Sequence, residues 1–133
     1  MSKSPTPEQI ARFLAGPEGP VVMCNLLRLN SRDGANVDGS LDPEMFAEMM
    51  IYAQGFREFA ESHGATFVFA GMIDSQVIGT GGEGFQFMSM MRYPSRQVFV
   101  QLAADPHIAE TIGKNRDNAL ESQWLFALSE VSQ

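Results

Sequence analysis

The sequence predicts an α+β fold, on three observations. The first is a strand-to-helix corner at Arg92-Tyr93-Pro94-Ser95-Arg96, directly after the apolar run Phe87-Met88-Ser89-Met90-Met91. Proline cannot donate to a ladder and pushes Tyr93 into extended backbone, and Ser95 can then cap a helix that begins at Arg96. The second is a repeated helix start in which a capping side chain precedes proline, at Thr6-Pro7, Asp42-Pro43 and Asp105-Pro106. Proline suits the first helical position because its missing N–H would be unpaired there anyway. The third is composition. The chain has 133 residues, 44% hydrophobic and 19% charged, which is enough for one domain with a real core and unlike a disordered chain.

The elements follow in order. Thr6, with Gln9 placed to complete a capping box, opens a short helix that runs to about Ala15 and stops at Gly16-Pro17. Pro20 to Asn30 reads as a strand, with Val21 to Leu29 nearly apolar on both faces, and Ser31 to Leu41 is a polar, glycine-bearing loop. A helix is expected from Pro43 to about His63, because Phe46, Met49, Met50, Ala53, Phe56 and Ala60 recur at helical spacing. Gly64 then suits a left-handed cap. Ala65 to Ile73 is a second strand, which the pattern lets resume through Gln76-Val77-Ile78, and Gly79 to Gly84 is a hairpin connection. Phe85 to Tyr93 is the third strand, a helix covers Arg96 to Ala103, a second helical piece starts at Pro106, and Ala119 to Val131 is the fourth strand. Neither a repeat nor a linker interrupts this order. It predicts one domain over 1-133, made of a helical extension (1-16) and a core (17-131). The core has the order β-α-β-β-α-β and an antiparallel four-stranded sheet, the split arrangement of ferredoxin-like folds.

Strand parity adds a partner. Val21, Met23, Leu27 and Leu29 fall on one face and Val22, Cys24 and Leu26 on the other. Phe85, Phe87 and Met91 oppose Met88 and Met90, and Trp124, Phe126 and Leu128 oppose Leu125 and Ala127. Short helices cover one face of such a sheet, and the other would be an unusually large wet apolar patch. A second copy packed face to face covers it, so a homodimer, a dimeric α+β barrel, is expected.

The formal charge is −7 and the pI about 4.7. Both argue against nucleic acid and anionic membrane as partners, since each needs a net basic face. Cys24 is the only cysteine, so neither an intrachain disulfide nor a thiolate metal cluster is expected, and a cytoplasmic protein is the simplest reading. No apolar run approaches the roughly 20 residues that span a bilayer, and the first residues lack the apolar segment of a signal peptide.

With these elements placed, the chain resembles the domain-of-unknown-function 1330 family of the dimeric α+β barrel superfamily. The resemblance rests on Gly19-Pro20-Val21-Val22-Met23-Cys24-Asn25-Leu26-Leu27, Arg92-Tyr93-Pro94-Ser95-Arg96, the Asp105-Pro106 helix start, Arg116, and Gln123-Trp124-Leu125-Phe126. It covers roughly residues 17 to 130 and lies in their order and spacing, not in one short motif. It implies a small ferredoxin-like dimer, with no general activity attached. In related barrels, among them cofactor-independent monooxygenases, haem-degrading enzymes and muconolactone isomerases, a ligand sits between the sheet and its helices.

Candidate site residues are each set against a plainer role. Asn25 is the one amide in an apolar strand and can orient a ligand carbonyl or hydroxyl; the plainer role is a bond to neighbouring backbone. Arg92, Arg96, Arg28 and Arg116 can build a carboxylate site, since a guanidinium fork pairs a carboxylate with two parallel bonds; four separate structural arginines are the plainer reading. Arg28 and Arg92 sit on different strands at opposite parity to the large aromatics, which permits a shared face. Tyr52, one turn before Phe56, can reach a pocket with its hydroxyl or pack at its edge, and Tyr93 stands at the strand end. His107 is the acid–base candidate, its ordinary pKa lying near 6.5, although an exposed residue in a capped first turn is the simpler account. His63 ends a long helix and reads as structural. Asn25, Tyr93 and His107 are loosely similar to the polar groups around the ligand of haem-degrading barrels. The matching tryptophan of the third strand is absent and Trp124 stands in the fourth, which sets haem aside, and no cofactor is expected. Met45, Met49, Met50, Met88, Met90 and Met91 suit either an adaptable lining or ordinary core.

Four patterns are decoys. Asp33 to Gly39 lacks an acid at Gly34 and a glutamate at Met45 for a calcium loop. Gly79 to Gly84 lacks the lysine-serine ending of a phosphate loop. Ser89, Ser95 and Cys24 have no nucleophile signature, and the two histidines lack zinc-site spacing. The sequence therefore favours a homodimer that binds a small, partly apolar molecule able to carry an acid group. A cofactor-independent isomerase or monooxygenase is the first alternative and a structural dimer without a ligand the second.

Overall fold

A computed structural model of the chain describes residues 3–34 and 39–131. In chain order the elements are α1 (Pro7–Leu14), β1 (Val21–Leu29), α2 (Pro43–Glu61), β2 (Thr66–Met72), β3 (Phe87–Tyr93), α3 (Arg96–Ala103), α4 (Pro106–Glu110), α5 (Gly113–Ala119) and β4 (Leu120–Leu128). The sheet order is β2-β3-β1-β4 with every neighbouring pair antiparallel. This is the expected ferredoxin-like α+β fold.

The helix starts are built as their residues dictate. Thr6 and Gln9 complete both halves of a capping box on α1. Ser95 accepts from Val98 N on α3 and Asp105 from Ile108 N on α4. Asp42 caps α2 through Glu44 N and is also gripped by Arg32, with Nε at 3.1 Å and Nη2 at 3.0 Å. The Arg32 guanidinium holds the Asp42 carboxyl well below the usual carboxylate range. A depressed folded pKa stabilises the fold above the ordinary carboxylate pKa, and that stability is lost as pH falls through the folded value. Wild type is therefore expected to melt above Asp42→Asn at about pH 7 and to lose that margin progressively below about pH 4. Paired thermal melts across that range check the sign.

Three boundaries differ from expectation. β3 begins at Phe87, and Phe85, free of the strand's alternation, turns to pack on Trp124 with ring centroids 4.6 Å apart. Gln76-Val77-Ile78 is not a strand. The stretch before β4 is a separate helix, α5, whose sequence GKNRDNA carries no apolar stripe. Tertiary contacts hold it instead: Asn115 and Asn118 donate to the Glu48 carboxylate of α2 at 3.1 and 2.7 Å. β4 accordingly starts at Leu120 and ends at Leu128, short of Val131.

Register assigns the faces. Cys24 pairs with Met90 and Phe126, and Leu26 with Met88 and Trp124, on the face away from the helices. Asn25 pairs with Ser89 and Leu125 on the helix side. The β1–β4 pairing shifts at Arg28/Leu29, leaving Glu121 as the extra residue, and its carboxylate meets Arg28 Nε at 2.9 Å.

The core on the helix side is split. One buried cluster contains Val21, Met23, Ala60, Met91, Tyr93 and Leu102. The other contains Leu27, Leu29, Met45, Met49, Phe87 and Leu120. Gln86 locks the second end: its side chain accepts from Leu29 N at 2.9 Å and donates to Gly39 O at 2.9 Å and Ser40 O at 2.8 Å. Gln86→Leu removes these three bonds from a buried position and is expected to cost about 2–4 kcal/mol, read by urea denaturation. The same bonds tether one end of the 31–41 loop. Residues 35–38, on which the centre of that loop and of the calcium-loop pattern falls, lie outside the described residues.

Candidate functional site

Between the two clusters, the inner face of the sheet is polar. Asn25 of β1 lies directly across from Ser89 of β3, with Met23 and Met91 toward one end; Gln123 of β4 stands one inner-facing step along, in the row of Leu27 and Phe87, and reaches Asn25 diagonally through its side chain. Strand alternation points all of these toward the helices. Above them lies a cleft of about 1810 Å³, walled by Met49, Met50, Tyr52 and Phe56 of α2 and crossed at its mouth by the N-terminal segment.

The polar groups form a chain. Arg116 of α5 donates from Nη2 to Gln123 Oε1 at 2.7 Å, and Gln123 Nε2 donates to Asn25 Oδ1 at 2.5 Å. Tyr52 stacks on Phe56, ring centroids 5.7 Å apart, and Tyr93 packs edge-on against Phe99 at 5.0 Å. Burial pushes the Tyr52 phenol up, with the Arg116 guanidinium pulling the other way. Burial, with Tyr52 adding to it, pushes the Tyr93 phenol far above its usual range. Both rings are therefore neutral phenols at physiological pH. The carboxylates on the cleft lining, Glu58, Glu61 and Asp117, are exposed at its rim.

Two arginines bind backbone. Arg96 is buried and donates to Pro17 O at 2.9 Å, Phe13 O at 3.0 Å and Ser129 Oγ at 3.3 Å, with its guanidinium over the Phe13 ring. Arg116 Nη2 also donates to Lys3 O at 2.7 Å. The segment carrying α1 is thus fastened at both ends across the cleft mouth. Gly16 permits the second fastening, because a Cβ there would lie 2.6 Å from Arg96 Cζ.

Of the residues singled out in the sequence, Asn25, Tyr52, Tyr93, Arg96 and Arg116 line this one cleft. Arg92 does not join them. It pairs with Val22 across the opposite face of the sheet and forms an ion pair with Glu130. Arg28 shares that outer face and pairs with Glu121. The four arginines therefore do not form one anion site. His107 is exposed on α4, away from the cleft lining, and Met88 and Met90 lie on the outer face. Ser89 and Gln123 are cleft residues that the sequence reading did not select. Their signal was parity: each is a polar side chain on the inner-facing alternation of its strand. No described helix is long and apolar enough to cross a membrane.

Similar proteins share the fold without an activity attached. No protein-family model and no curated protein matches the chain. Among solved structures it is similar to the RPA0582 protein of Rhodopseudomonas palustris, a protein of unknown function, with TM-score 0.79 and 28% identity over 99% of this chain and 98% of that one. The methylated RPA0582 protein aligns at 30% identity over 97% and 94%, TM-score 0.73. A dabb family protein with a ferredoxin-like fold from Mesorhizobium loti matches at 11% identity over 86% and 99%, TM-score 0.54. A dimeric ferredoxin-like protein of unknown function from Thermobifida fusca matches at 9% over 88% and 96%, TM-score 0.52.

Proposed function

We propose that this chain, which belongs to the same family as the RPA0582 protein of Rhodopseudomonas palustris, binds a small, partly apolar molecule in the cleft between sheet and helices. The observation that carries this reading is the polar stripe Asn25–Ser89–Gln123 interrupting the core beneath an open cleft. Polar groups at the centre of an apolar face are costly unless they meet partners, and a concave apolar site with a few convergent polar groups is the usual form of a ligand pocket. The methionines and phenylalanines around the stripe supply an adaptable wall. An open cleft of about 1810 Å³ supports binding over a purely structural dimer, whose interior would be solid. An enzyme acting on a carbon acid needs a base facing the pocket, and the exposed His107 gives that alternative no support.

The same reading takes the chain as one domain, a helical extension (1-16) joined to a core (17-131), in the domain-of-unknown-function 1330 family, working in the cytoplasm as a homodimer. What supports the dimer is the outer face, where Phe69, Trp124, Phe126 and Leu128 are all exposed in the protomer, together with the description of the Thermobifida fusca neighbour as dimeric.

Methionine-methyl NMR with a library of small aromatic fragments tests the site. Binding in the cleft shifts Met23, Met49, Met50 and Met91, which line it, and leaves Met88 and Met90 of the outer face in place. Hits that move only the outer-face pair would move the site off this cleft.

A further inference from the structure

Taking the cleft as a ligand site, we propose that it selects molecules presenting a hydrogen-bond-accepting oxygen, a carboxylate above all, on an apolar body. The Arg116–Gln123–Asn25 chain turns a donor toward them.

A guanidinium has donors and no acceptor. Arg116 Nη2 at 2.7 Å therefore fixes the Gln123 oxygen toward itself, and the Gln123 NH₂ must point the other way. That NH₂ meets Asn25 at 2.5 Å, so the Asn25 atom there is its oxygen. The remaining arm of Asn25, Nδ2 with two N–H groups, is left on the cleft floor, and no bond from it to another described residue is present. One arginine thus sets the orientation of two amides in series and decides what the second shows to a ligand.

The rest of the lining agrees in sign. Tyr52 and Tyr93 are neutral phenols and so can donate, and their hydroxyls carry no hydrogen bond to another described residue. Ser89 stands directly across from Asn25 and can also donate. The Arg116 charge is met by two neutral oxygens, Lys3 O and Gln123 Oε1, with the Asp117 carboxylate further off at 3.6 Å. Successive hydrogen bonds polarise one another, so the cation makes the Asn25 N–H groups better donors to a negatively charged oxygen. An ammonium group at the same place would find donors facing it.

The test uses four probes with one body and different heads: naphthoate, acetylnaphthalene, methylnaphthalene and naphthylmethylamine, titrated calorimetrically into the intact protein. Naphthoate is expected to bind about tenfold or more tighter than the amine, with the uncharged ketone also ahead of the hydrocarbon. Gln123→Glu then reverses the series. Its carboxylate accepts from Arg116 and also from Asn25 Nδ2, so Asn25 must turn its oxygen to the cleft. Naphthoate and the ketone both weaken and the amine strengthens. The ketone separates the turn of Asn25 from simple charge repulsion, because it carries no charge. Gln123→Met, which is uncharged and close in volume, releases Asn25 from its fixed orientation, so the uncharged ketone should lose most of its lead over the hydrocarbon; the charged heads are not the readout in this variant, because it also frees an Arg116 N–H, and it keeps the test open if the glutamate variant folds poorly. Equal wild-type affinity for naphthoate and amine, or an unchanged lead of the ketone over the hydrocarbon in Gln123→Met, overturns the donor-selection proposal while the cleft reading stands. If none of the four probes binds and the cleft methionine signals stay fixed, the cleft reading falls and this proposal with it.

Discussion

Phe126→Glu is expected to break the proposed homodimer into monomers in sedimentation equilibrium, weakening self-association by about 100-fold or more. The ring is half exposed in the protomer and packs edge-on against Trp124 on the outer face. Its loss costs the isolated fold little, because the face is wet on that side. In the proposed homodimer the carboxylate would be buried against the partner sheet without a cation, and two-fold symmetry would bury it twice. Arg28 and Arg92 share that face, but each already has a carboxylate partner, Glu121 at 2.9 Å from Arg28 Nε and Glu130 on Arg92. A variant that stays dimeric with unchanged affinity would mean that the partner does not sit on this face.

Arg96→Met releases the N-terminal helix. α1 contains no buried residue of its own, so its docking depends on side chains that reach it. Phe13 packs on Phe99 at 5.7 Å, and Arg96 holds Phe13 O and Pro17 O at 3.0 and 2.9 Å. Hydrogen bonds to a charged donor contribute roughly 1.5–3 kcal/mol each. Losing both lowers hydrogen-exchange protection of residues 7–14 by about 100-fold or more, while the central strands keep theirs. Gly16→Ala acts in the same direction through the same guanidinium, since the new Cβ would lie 2.6 Å from Arg96 Cζ. Unchanged protection in Arg96→Met would show that the Phe13–Phe99 contact and the Arg116 bond to Lys3 O dock the helix without Arg96.

The sequence made the architecture legible because its punctuation is local. Pro7, Pro43, Pro94 and Pro106 each sit beside a capping side chain, and each of those caps forms in the structure. Alternation in β1 and β3 assigned the faces of Met23, Met91, Met88 and Met90, since a pleated strand leaves no other choice. Where local signals were absent, the reading missed. α5 carries no apolar stripe, and its helix is held by Glu48 from another element. The loop at 76–78 has β-branched residues but finds no strand to pair with. Arginines were the least readable side chains. Arg96 and Arg116 reach distant backbone carbonyls, and Arg92 turns to the opposite face, because a long side chain on a known element still has many endpoints. Asn25 was legible as an anomaly in an apolar strand. Its partner Gln123 was not, because the bond between them joins residues 98 positions apart.

The measurement that bears most directly on the central claim is a crystal structure of protein purified from its native host, inspected for electron density between the sheet and α2. The account predicts a small molecule there, its apolar body against Met49, Met50 and Phe56 and an acceptor oxygen near Asn25 Nδ2. A cleft closed by those same side chains, with Asn25 and Ser89 bonded to protein groups and no space left above them, would contradict it.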